Sequence, residues 1–306
     1  MRNRFADTFY ELGKADPRLC VVVADISPAG SIAKFRSDFP DRFINTGVAE
    51  QIMIGMVAGM AQRGLRPFAY TIATFTLYRP FEMVRDDLCY QNLPVTIVGI
   101  GGGVTYSTLG ATHHAQEDVA IASSIPNMSV IAPCDPEETA AATRWCATQE
   151  RGPVYLRLGK AGEPDFSSKA PEPWQFGKLR LLKPGSDVAI LSYGPIMKQA
   201  FGVAEKFAAK GKSAAIYSVH TVKPLDEEGI ASVLARFPHI VLIEECAPNG
   251  SMAMRVQRLA WQRGARCRID AFTLQDAFIH CYGSHEDILA EHGLSVPKIS
   301  GQLGLN

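Results

Sequence analysis

Short apolar runs alternate with longer amphipathic or apolar segments along almost the whole chain. The runs that we predict to be strands are residues 19–25, 68–72, 94–100, 154–158, 187–194, 214–219 and 239–245. The segments that we predict to be helices include residues 48–63, 136–149, 196–210 and 251–263. Apolar strands separated by helices are typical of a mainly parallel sheet that is covered by helices on both faces. The pattern therefore predicts an α/β fold.

One segment interrupts this alternation. Residues 161–184 are rich in proline and glycine and show no sustained periodicity, which is typical of a linker. We therefore predict a first α/β domain at residues 1–160 and a second at residues 185–306. The length of 306 residues agrees with two domains, because domains commonly hold about 100–200 residues each.

The composition excludes several classes of protein. The chain has 31 basic and 31 acidic residues, and this balance lacks the charge that nucleic-acid binders and membrane-surface proteins carry. No apolar run approaches the roughly 18 residues that a membrane span requires, and the first residues do not resemble a signal peptide. The seven cysteines are odd in number and none form a CxxC pair, which favours reduced thiols over disulfides or zinc ligands. We expect a cytoplasmic protein with no nucleic-acid or membrane partner.

The predicted helix at residues 48–63 is apolar nearly all round up to position 60, so we expect it to be buried. Glu50 is its only acid. An acid in a first helical turn can complement the helix dipole, but a buried carboxylate can also exchange a proton, and the pattern leaves both interpretations open. Gly55 and Gly59 share one face of this helix. Each destabilises a helix by roughly 0.5–1 kcal/mol relative to alanine, which indicates a packing role.

Candidate chemistry follows the predicted strands of the first domain. Asp25 ends the first strand, Phe75 and Tyr78 follow the second, and a run of glycines beginning at Gly101 follows the third. Ligands of open α/β sheets bind beyond the carboxyl ends of the strands, so we expect these residues to converge on a flat heteroaromatic ligand. The glycine run is not a dinucleotide fingerprint, because a valine occupies the position of its third glycine.

Histidines and acids elsewhere have plainer interpretations. His113 and His114 are adjacent in the loop after the glycine run, so at most one of them is expected to face the site. No carboxylate or cysteine stands near them at a spacing typical of zinc ligands. His220, Glu244 and Glu245 lie at ends of predicted second-domain strands, and we expect them at the surface or an interface.

Eight segments, taken together and in order, resemble the transketolase family of thiamine diphosphate enzymes. They are VVADISPAGS, INTGVAEQIMIGMVAGMA, TFTLYRPFEMVRDDLCYQNLPV, LGATHHAQEDVAI, PNMSVIAPCDPEE, GPVYLRL, LSYGPIMKQA and YSVHTVKPLD. The resemblance covers essentially the whole chain and implies a pyrimidine-binding domain followed by a transketolase C-terminal domain. Nothing in the sequence resembles the diphosphate-binding domain of the family. The resemblance therefore implies one subunit of a split transketolase, in an α₂β₂ assembly with an N-terminal partner that holds the diphosphate and Mg²⁺ or Ca²⁺.

The resemblance also implies roles for individual residues. Glu50 matches the glutamate that shares a proton with N1′ of the cofactor's aminopyrimidine. Phe75 matches the ring that stacks on the pyrimidine, Tyr78 lies close to a second aromatic position, and Asp25 matches an acid at the rim of the cofactor pocket. His113 matches a histidine that binds donor hydroxyl groups.

The phosphate end of the donor site departs from the family pattern. Arg157 and Arg2 match arginines that hold the sugar phosphate, but a histidine of that region is replaced by Gly101 and a serine by Ala29. Leu109 replaces an aspartate that contacts a donor hydroxyl, and an aliphatic side chain cannot accept that hydrogen bond. The resemblance thus implies two-carbon transfer from a ketose donor that need not be standard, to an aldose acceptor.

Two other interpretations stay open at this point. A β subunit of a 2-oxo acid dehydrogenase or a deoxyxylulose phosphate synthase-like enzyme shares the architecture and the glutamate, and would use a 2-oxo acid such as pyruvate. A non-catalytic subunit would not require Glu50, Phe75 and His113 together.

Overall fold

Two mainly parallel sheets, each covered by helices, form the protein. The structure is a computed structural model that describes residues 1–26, 30–150, 152–160 and 162–306. The elements of the first half are α1 (Arg2–Ala15), β1 (Leu19–Val23), α2 (Ser31–Asp38), β2 (Phe43–Asn45), α3 (Glu50–Gln62), β3 (Arg66–Ile72), α4 (Ala73–Leu77), α5 (Phe81–Met83), β4 (Thr96–Ile100), α6 (Asp118–Ser124), β5 (Ser129–Ile131), α7 (Pro136–Thr148) and β6 (Val154–Leu158). A π-helical segment, Val84–Tyr90, continues α5.

In the described part of the chain, the second half also alternates strands and helices and has the same number of strands as the first, six. Its elements are β7 (Arg180–Lys183), β8 (Val188–Ser192), α8 (Met197–Ala209), β9 (Ala214–Ser218), β10 (Thr221–Lys223), α9 (Glu227–Arg236), β11 (His239–Ile243), α10 (Met252–Arg263), β12 (Arg268–Phe272), α11 (His285–Glu291) and α12 (Val296–Gln302). All seven predicted strands and the four predicted helices are present, and their bounds differ from the predicted ones by only a few residues at each end. The predicted α/β fold with parallel, helix-covered sheets is confirmed.

The sheet order places a strand from the second half in the first sheet. The first sheet has the order β10-β5-β6-β4-β3-β1-β2, and the second has the order β12-β11-β8-β9-β7. All neighbours are parallel except β10 with β5 and β7 with β9. The two halves of the chain are therefore joined by main-chain hydrogen bonds between β5 and β10.

The segment that we predicted as a linker, residues 161–184, holds β7 near its end. This strand has only four residues and lies at the edge of the second sheet, with every other residue partly exposed. An alternation of buried and exposed positions over only four residues does not distinguish a strand from a polar loop.

The surroundings of α3 differ from the prediction that the helix is buried. Its inner face packs into the core through Met53, Ile54 and Val57. Ile52 on the opposite side is 60% exposed, and Val48 just before the helix is 71% exposed. One side of the helix therefore faces the core and the other faces solvent, although both sides are apolar. The described residues of this chain leave the outer apolar side exposed. Within the described part of the chain, no helix is long and apolar enough to cross a membrane.

Candidate active site

An ion pair between a buried carboxylate and an exposed guanidinium lies at the carboxyl edge of the first sheet. Glu50 is the first residue of α3 and its side chain is almost fully buried. Arg79, just beyond α4, donates from Nη1 to Glu50 Oε2 at 2.7 Å. The helix that carries Glu50 is apolar in sequence, but its carboxylate is paired with a cation from a separate segment.

Two rings lie beside this ion pair. The Arg79 guanidinium stands over the half-buried Phe75 ring, 5.1 Å from its centroid. The His113 ring meets Phe75 edge-on, with ring centroids 5.2 Å apart and an interplanar angle of 74°. Burial lowers the pKa of His113, so its ring is neutral at neutral pH. The structure thus brings together Glu50, Phe75 and His113, three of the predicted site residues.

Tyr78 points to the other side of this group. Its hydroxyl donates to Glu117 Oε2 at 2.9 Å and accepts from the Glu117 backbone N–H at 3.2 Å. Burial, followed by the nearby Asp118 and Glu117 carboxylates, raises the pKa of Tyr78. The Tyr78 hydroxyl is thus occupied by Glu117, and its ring face is the part left to contact a ligand.

Tyr106 occupies the space next to Gly101. Gly101 has a φ of +71°, and a Cβ built there would overlap with the Tyr106 ring, so this position admits no larger residue. The Tyr106 ring lies 6.3 Å from the His113 ring, and Lys160 Nζ stands 5.1 Å from the Tyr106 centroid. Burial raises the pKa of the Tyr106 hydroxyl, while the nearby Arg2 guanidinium opposes the shift.

Leu109 and Asp25 lie nearer solvent. Leu109 is half exposed in a 3₁₀ turn that follows Tyr106. Asp25 is exposed after β1, and its backbone N–H donates to Asn45 Oδ1 at 3.2 Å. Within the described part of the chain, no hydrogen bond joins Asp25 to Glu50 or Phe75. The predicted departure at Ala29 falls outside the described residues.

Arg157, for which the resemblance implies a contact with the sugar phosphate, is almost fully buried in this chain. Its side chain is 1% exposed, and Nε donates to Asp118 Oδ2 at 2.9 Å. Nη2 donates to the Glu245 carbonyl at 2.8 Å. A charged residue within the apolar strand β6 has to be paired inside the protein, because an unpaired buried charge is strongly destabilising.

The second-domain residues that we expected at the surface or an interface are fully buried, and Glu245 lies at the contact between the two domains. Burial lowers the pKa of His220 to about 3, and its ring stacks on Trp174 with centroids 4.9 Å apart. Glu244 accepts hydrogen bonds from the Tyr193 hydroxyl and from the first backbone N–H groups of α10. Glu245 points toward the first domain and accepts from the Val104 backbone N–H at 2.7 Å.

Models of two transketolase domains match the sequence. The transketolase pyrimidine binding domain matches residues 1–162, and the transketolase C-terminal domain matches residues 177–299. The chain belongs to the transketolase family. It is a subunit of a transketolase-type transferase, and membership in this family implies dependence on thiamine diphosphate.

Similar proteins are subunits of split transketolases. The chain is 30% identical to an apulose-4-phosphate transketolase subunit of Phocaeicola vulgatus, over 96% of this chain and 93% of that protein. It is 34% identical to a 6-deoxy-6-sulfo-D-fructose transketolase subunit of Clostridium sp., over 82% of this chain and 78% of that one. A solved structure described as a split gene transketolase, inactive β4 tetramer, superposes with a TM-score of 0.89 at 31% identity, covering 99% of this chain and 96% of that one. A split transketolase implies a partner that supplies the N-terminal half.

The observed arrangement fits the pyrimidine side of thiamine diphosphate. A planar N–H donor, the Arg79 guanidinium, already donates to the Glu50 carboxylate and lies over the Phe75 ring. A flat heterocycle such as an aminopyrimidine would hydrogen-bond to Glu50 and stack on Phe75, and these are the two contacts that the guanidinium makes here. The sequence reasoning missed Arg79, although it follows Phe75 by four residues, about one helical turn. It also missed Tyr106 and Lys160, whose proximity depends on the folding of separate loops.

Proposed function

We propose that this chain holds the aminopyrimidine of thiamine diphosphate, with Glu50 as its proton partner, for two-carbon transfer from a ketose to an aldose. The observation that supports this proposal is the buried Glu50 carboxylate, whose neighbours are a flat guanidinium and the Phe75 ring. Thiamine diphosphate, when bound, supplies the electron sink that lets a carbon–carbon bond beside a ketose carbonyl break.

The residues of this chain would each do a separate task. Glu50 would hold and return a proton at a carboxylate oxygen, and the ligand would replace Arg79 as its hydrogen-bond partner. Phe75 and the ring of Tyr78 would offer flat apolar contact, and Asp25 would stand at the rim. A neutral His113 can both donate and accept a hydrogen bond, which suits the hydroxyl groups of a sugar.

We propose that the donor ends in a phosphate or a sulfonate. With Arg157 buried, two other cations lie near Tyr106 at this end of the site, Arg2 and the exposed Lys160. The half-exposed Leu109 offers no hydrogen bond to a donor hydroxyl. Gly101 stands where the family has a histidine, and the buried Tyr106 ring fills the space beside it. A subsite of this composition recognises the terminal charge more strongly than the adjoining hydroxyl groups.

The test uses the chain reconstituted with an N-terminal transketolase subunit and three donors that share one carbon skeleton. These are fructose 6-phosphate, 6-deoxy-6-sulfofructose and fructose, each with an aldose acceptor. The assay measures the two-carbon-longer ketose and, in parallel with pyruvate, carbon dioxide. Ketol transfer from either anionic donor supports the proposal. Carbon dioxide from pyruvate without ketol transfer would instead support the 2-oxo acid dehydrogenase or deoxyxylulose phosphate synthase interpretation.

Replacing Lys160 with methionine is expected to raise the KM of the anionic donor by about tenfold or more, since a hydrogen bond to a charged group contributes about 1.5–3 kcal/mol. The kcat and the reaction with fructose should change little, because neither depends on the terminal charge. Lys212→Met, which removes an exposed lysine after α8, serves as the control. An equal loss for charged and neutral donors would contradict a role of Lys160 in recognising the anion.

We propose an α₂β₂ assembly in which the exposed face of α3 packs against another subunit. This face carries Ile52, Met56 and Gly59. Among the described residues, no group of three or more histidine, cysteine or acidic side chains is placed to hold a metal ion. We therefore propose that the partner supplies the ligands for Mg²⁺ or Ca²⁺.

Gly59→Leu is expected to weaken assembly with the partner by about ten- to a hundredfold, the effect of 1–3 kcal/mol of overpacking. The isolated chain should fold as before, because no atom lies within 4 Å of a Cβ built at Gly59. Light scattering on mixtures of the two subunits measures the effect, and Ala208→Leu, on an exposed face of α8, is the matched control. Unchanged assembly would remove Gly59 from the interface.

A further inference from the structure

The Glu245 carboxylate joins the two domains from a fully buried position. It follows β11 in the second domain, yet its Oε1 accepts from the backbone N–H of Val104 in the first domain at 2.7 Å. The same oxygen is 2.8 Å from His285 Nε2, at the first residue of α11. A carboxylate leaves water only at a large free-energy penalty unless it is paired, so the contact with His285 is what allows Glu245 to reach this loop.

Two glycines of the loop after β4 make room for this contact. A Cβ at Gly103 would overlap with the Glu245 carboxyl group, and a Cβ at Gly102 would overlap with the Arg157 guanidinium. Arg157 in turn donates to the Glu245 carbonyl at 2.8 Å. The glycine run that resembles a flexible turn in sequence is therefore closely packed against two charged side chains.

The loop that Glu245 contacts carries the donor-side residues. Tyr106 follows Val104 by two residues, and Gly103 and Ala115 exchange backbone hydrogen bonds of 3.1 and 2.7 Å. This bridge closes the segment that holds His113. A second contact between the domains joins the Ala247 N–H to the Gln116 carbonyl at 2.7 Å. Residues 101–116, hereafter the donor loop, are thus held at both ends by the segment that begins at Glu245.

We propose that Glu245 and His285 are positioning residues, through which the second domain holds the donor loop in the conformation that binds the sugar. This inference rests on the proposed function for the identity of the ligand, but the hold on the loop is a property of the chain alone. It gives the second domain a part in donor binding although none of its residues is placed at Glu50 or Phe75.

Charged and titratable groups surround the pair on every side. Arg157 on β6 faces both members, Glu286 follows His285, and His114 and His292 lie near Glu245. Burial raises the pKa of Glu245, but His285 and Arg157 outweigh it and the net shift is downward. Burial lowers the pKa of His285, but Glu245 outweighs it and the net shift is upward.

These directions set a pH window. The contribution of His285 is complete below its ordinary pKa of 6.5 and is lost as pH rises through the higher folded-state pKa. The contribution of Glu245 is complete above its ordinary pKa of 4.5 and is lost as pH falls through the lower folded-state pKa. The donor loop should therefore be held most firmly between pH 4.5 and 6.5 and should loosen as pH rises through the folded-state pKa of His285.

Glu245→Gln tests the proposal, with Glu244→Gln as the matched control. Both replace a fully buried carboxylate by an isosteric amide, but Glu244 binds Tyr193 and α10, within its own domain. In hydrogen exchange of the full-length chain, Glu245→Gln should speed exchange of the donor loop by about tenfold or more, as expected for local opening. Exchange in β8 and β11 should stay within about twofold. Glu244→Gln should not single out the donor loop.

The reconstituted enzyme gives the second measurement. Glu245→Gln should raise the KM of an accepted donor by about tenfold and leave kcat within about threefold, because the reacting groups are untouched. The alkaline rise in KM of the parent should be absent from Glu245→Gln and His285→Gln. An unchanged donor loop, or exchange that rises equally in every strand, would overturn the proposal. If the loop loosens but no ketose is a donor, the proposed function fails and the positioning role stands.

Discussion

Glu50→Gln is expected to lower turnover of the assembled enzyme by about two to four orders of magnitude, the range for a general acid–base group. Glutamine keeps the size of the side chain and can still bond to Arg79, but it cannot exchange a proton with the pyrimidine. Deuterium exchange at C2 of the bound cofactor isolates this step from the identity of the donor. Calorimetric binding of the cofactor should be retained.

The alternative role of Glu50 predicts a different result. If Glu50 only complements the dipole of α3, the substitution should reduce the free energy of unfolding by about 0.3–1 kcal/mol and leave C2 exchange unchanged. Glu205→Gln, an exposed acid on α8, controls for the loss of a charge. Deuterium exchange at C2 that is as fast in Glu50→Gln as in the parent would contradict the role of Glu50 as the proton partner.

The purified chain alone is expected to show no ketol transfer and no measurable binding of thiamine diphosphate, while addition of an N-terminal subunit should restore both. In the proposed arrangement the chain contacts the pyrimidine side through Glu50 and Phe75, and the partner holds the diphosphate and the metal ion.

Titration of the chain with the N-terminal subunit supplies the measurement. Activity should saturate at equal concentrations of the two subunits, and cofactor binding by calorimetry should appear over the same range. Full activity of the chain alone, in a preparation free of other subunits by mass spectrometry, would reject the division of the site between two chains.

Most of the fold could be predicted because the central strands are continuous apolar runs. All five residues of β4 are buried, and so are those of β6 and β8. The strands that we missed have three or four residues, or, like β12, carry charged and partly exposed residues at a sheet edge. Those strands are formed by pairing with a neighbour, and the local pattern contains too few positions to reveal them.

The site could be predicted only where a local motif carries it. Glu50, Phe75 and His113 were found by resemblance and lie together. The burial of Arg157 could also have been predicted, because it follows Tyr155 by two residues in a strand and both side chains point to the same buried face.

Contacts between distant segments could not be predicted at all. Glu245 meets Val104 across 141 positions of sequence, and no spacing rule connects them. Arg79 has one contact of each kind. Its neighbour Phe75 is close to it in the sequence, whereas its ion-pair partner Glu50 is distant.

The place of β10 has a consequence for synthesis on the ribosome. The edge strand of the first sheet is β10, residues 221–223, which pairs with β5. Without β10, the edge of this sheet is β5. The residues of β10 leave the ribosome after β7, β8 and β9 of the other sheet, so the first domain remains incomplete while the second is already being assembled. During that interval β5 presents unpaired N–H and C=O groups, the kind of edge that recruits strands from other chains. The two domains therefore mature as one folding unit, although each has its own sheet.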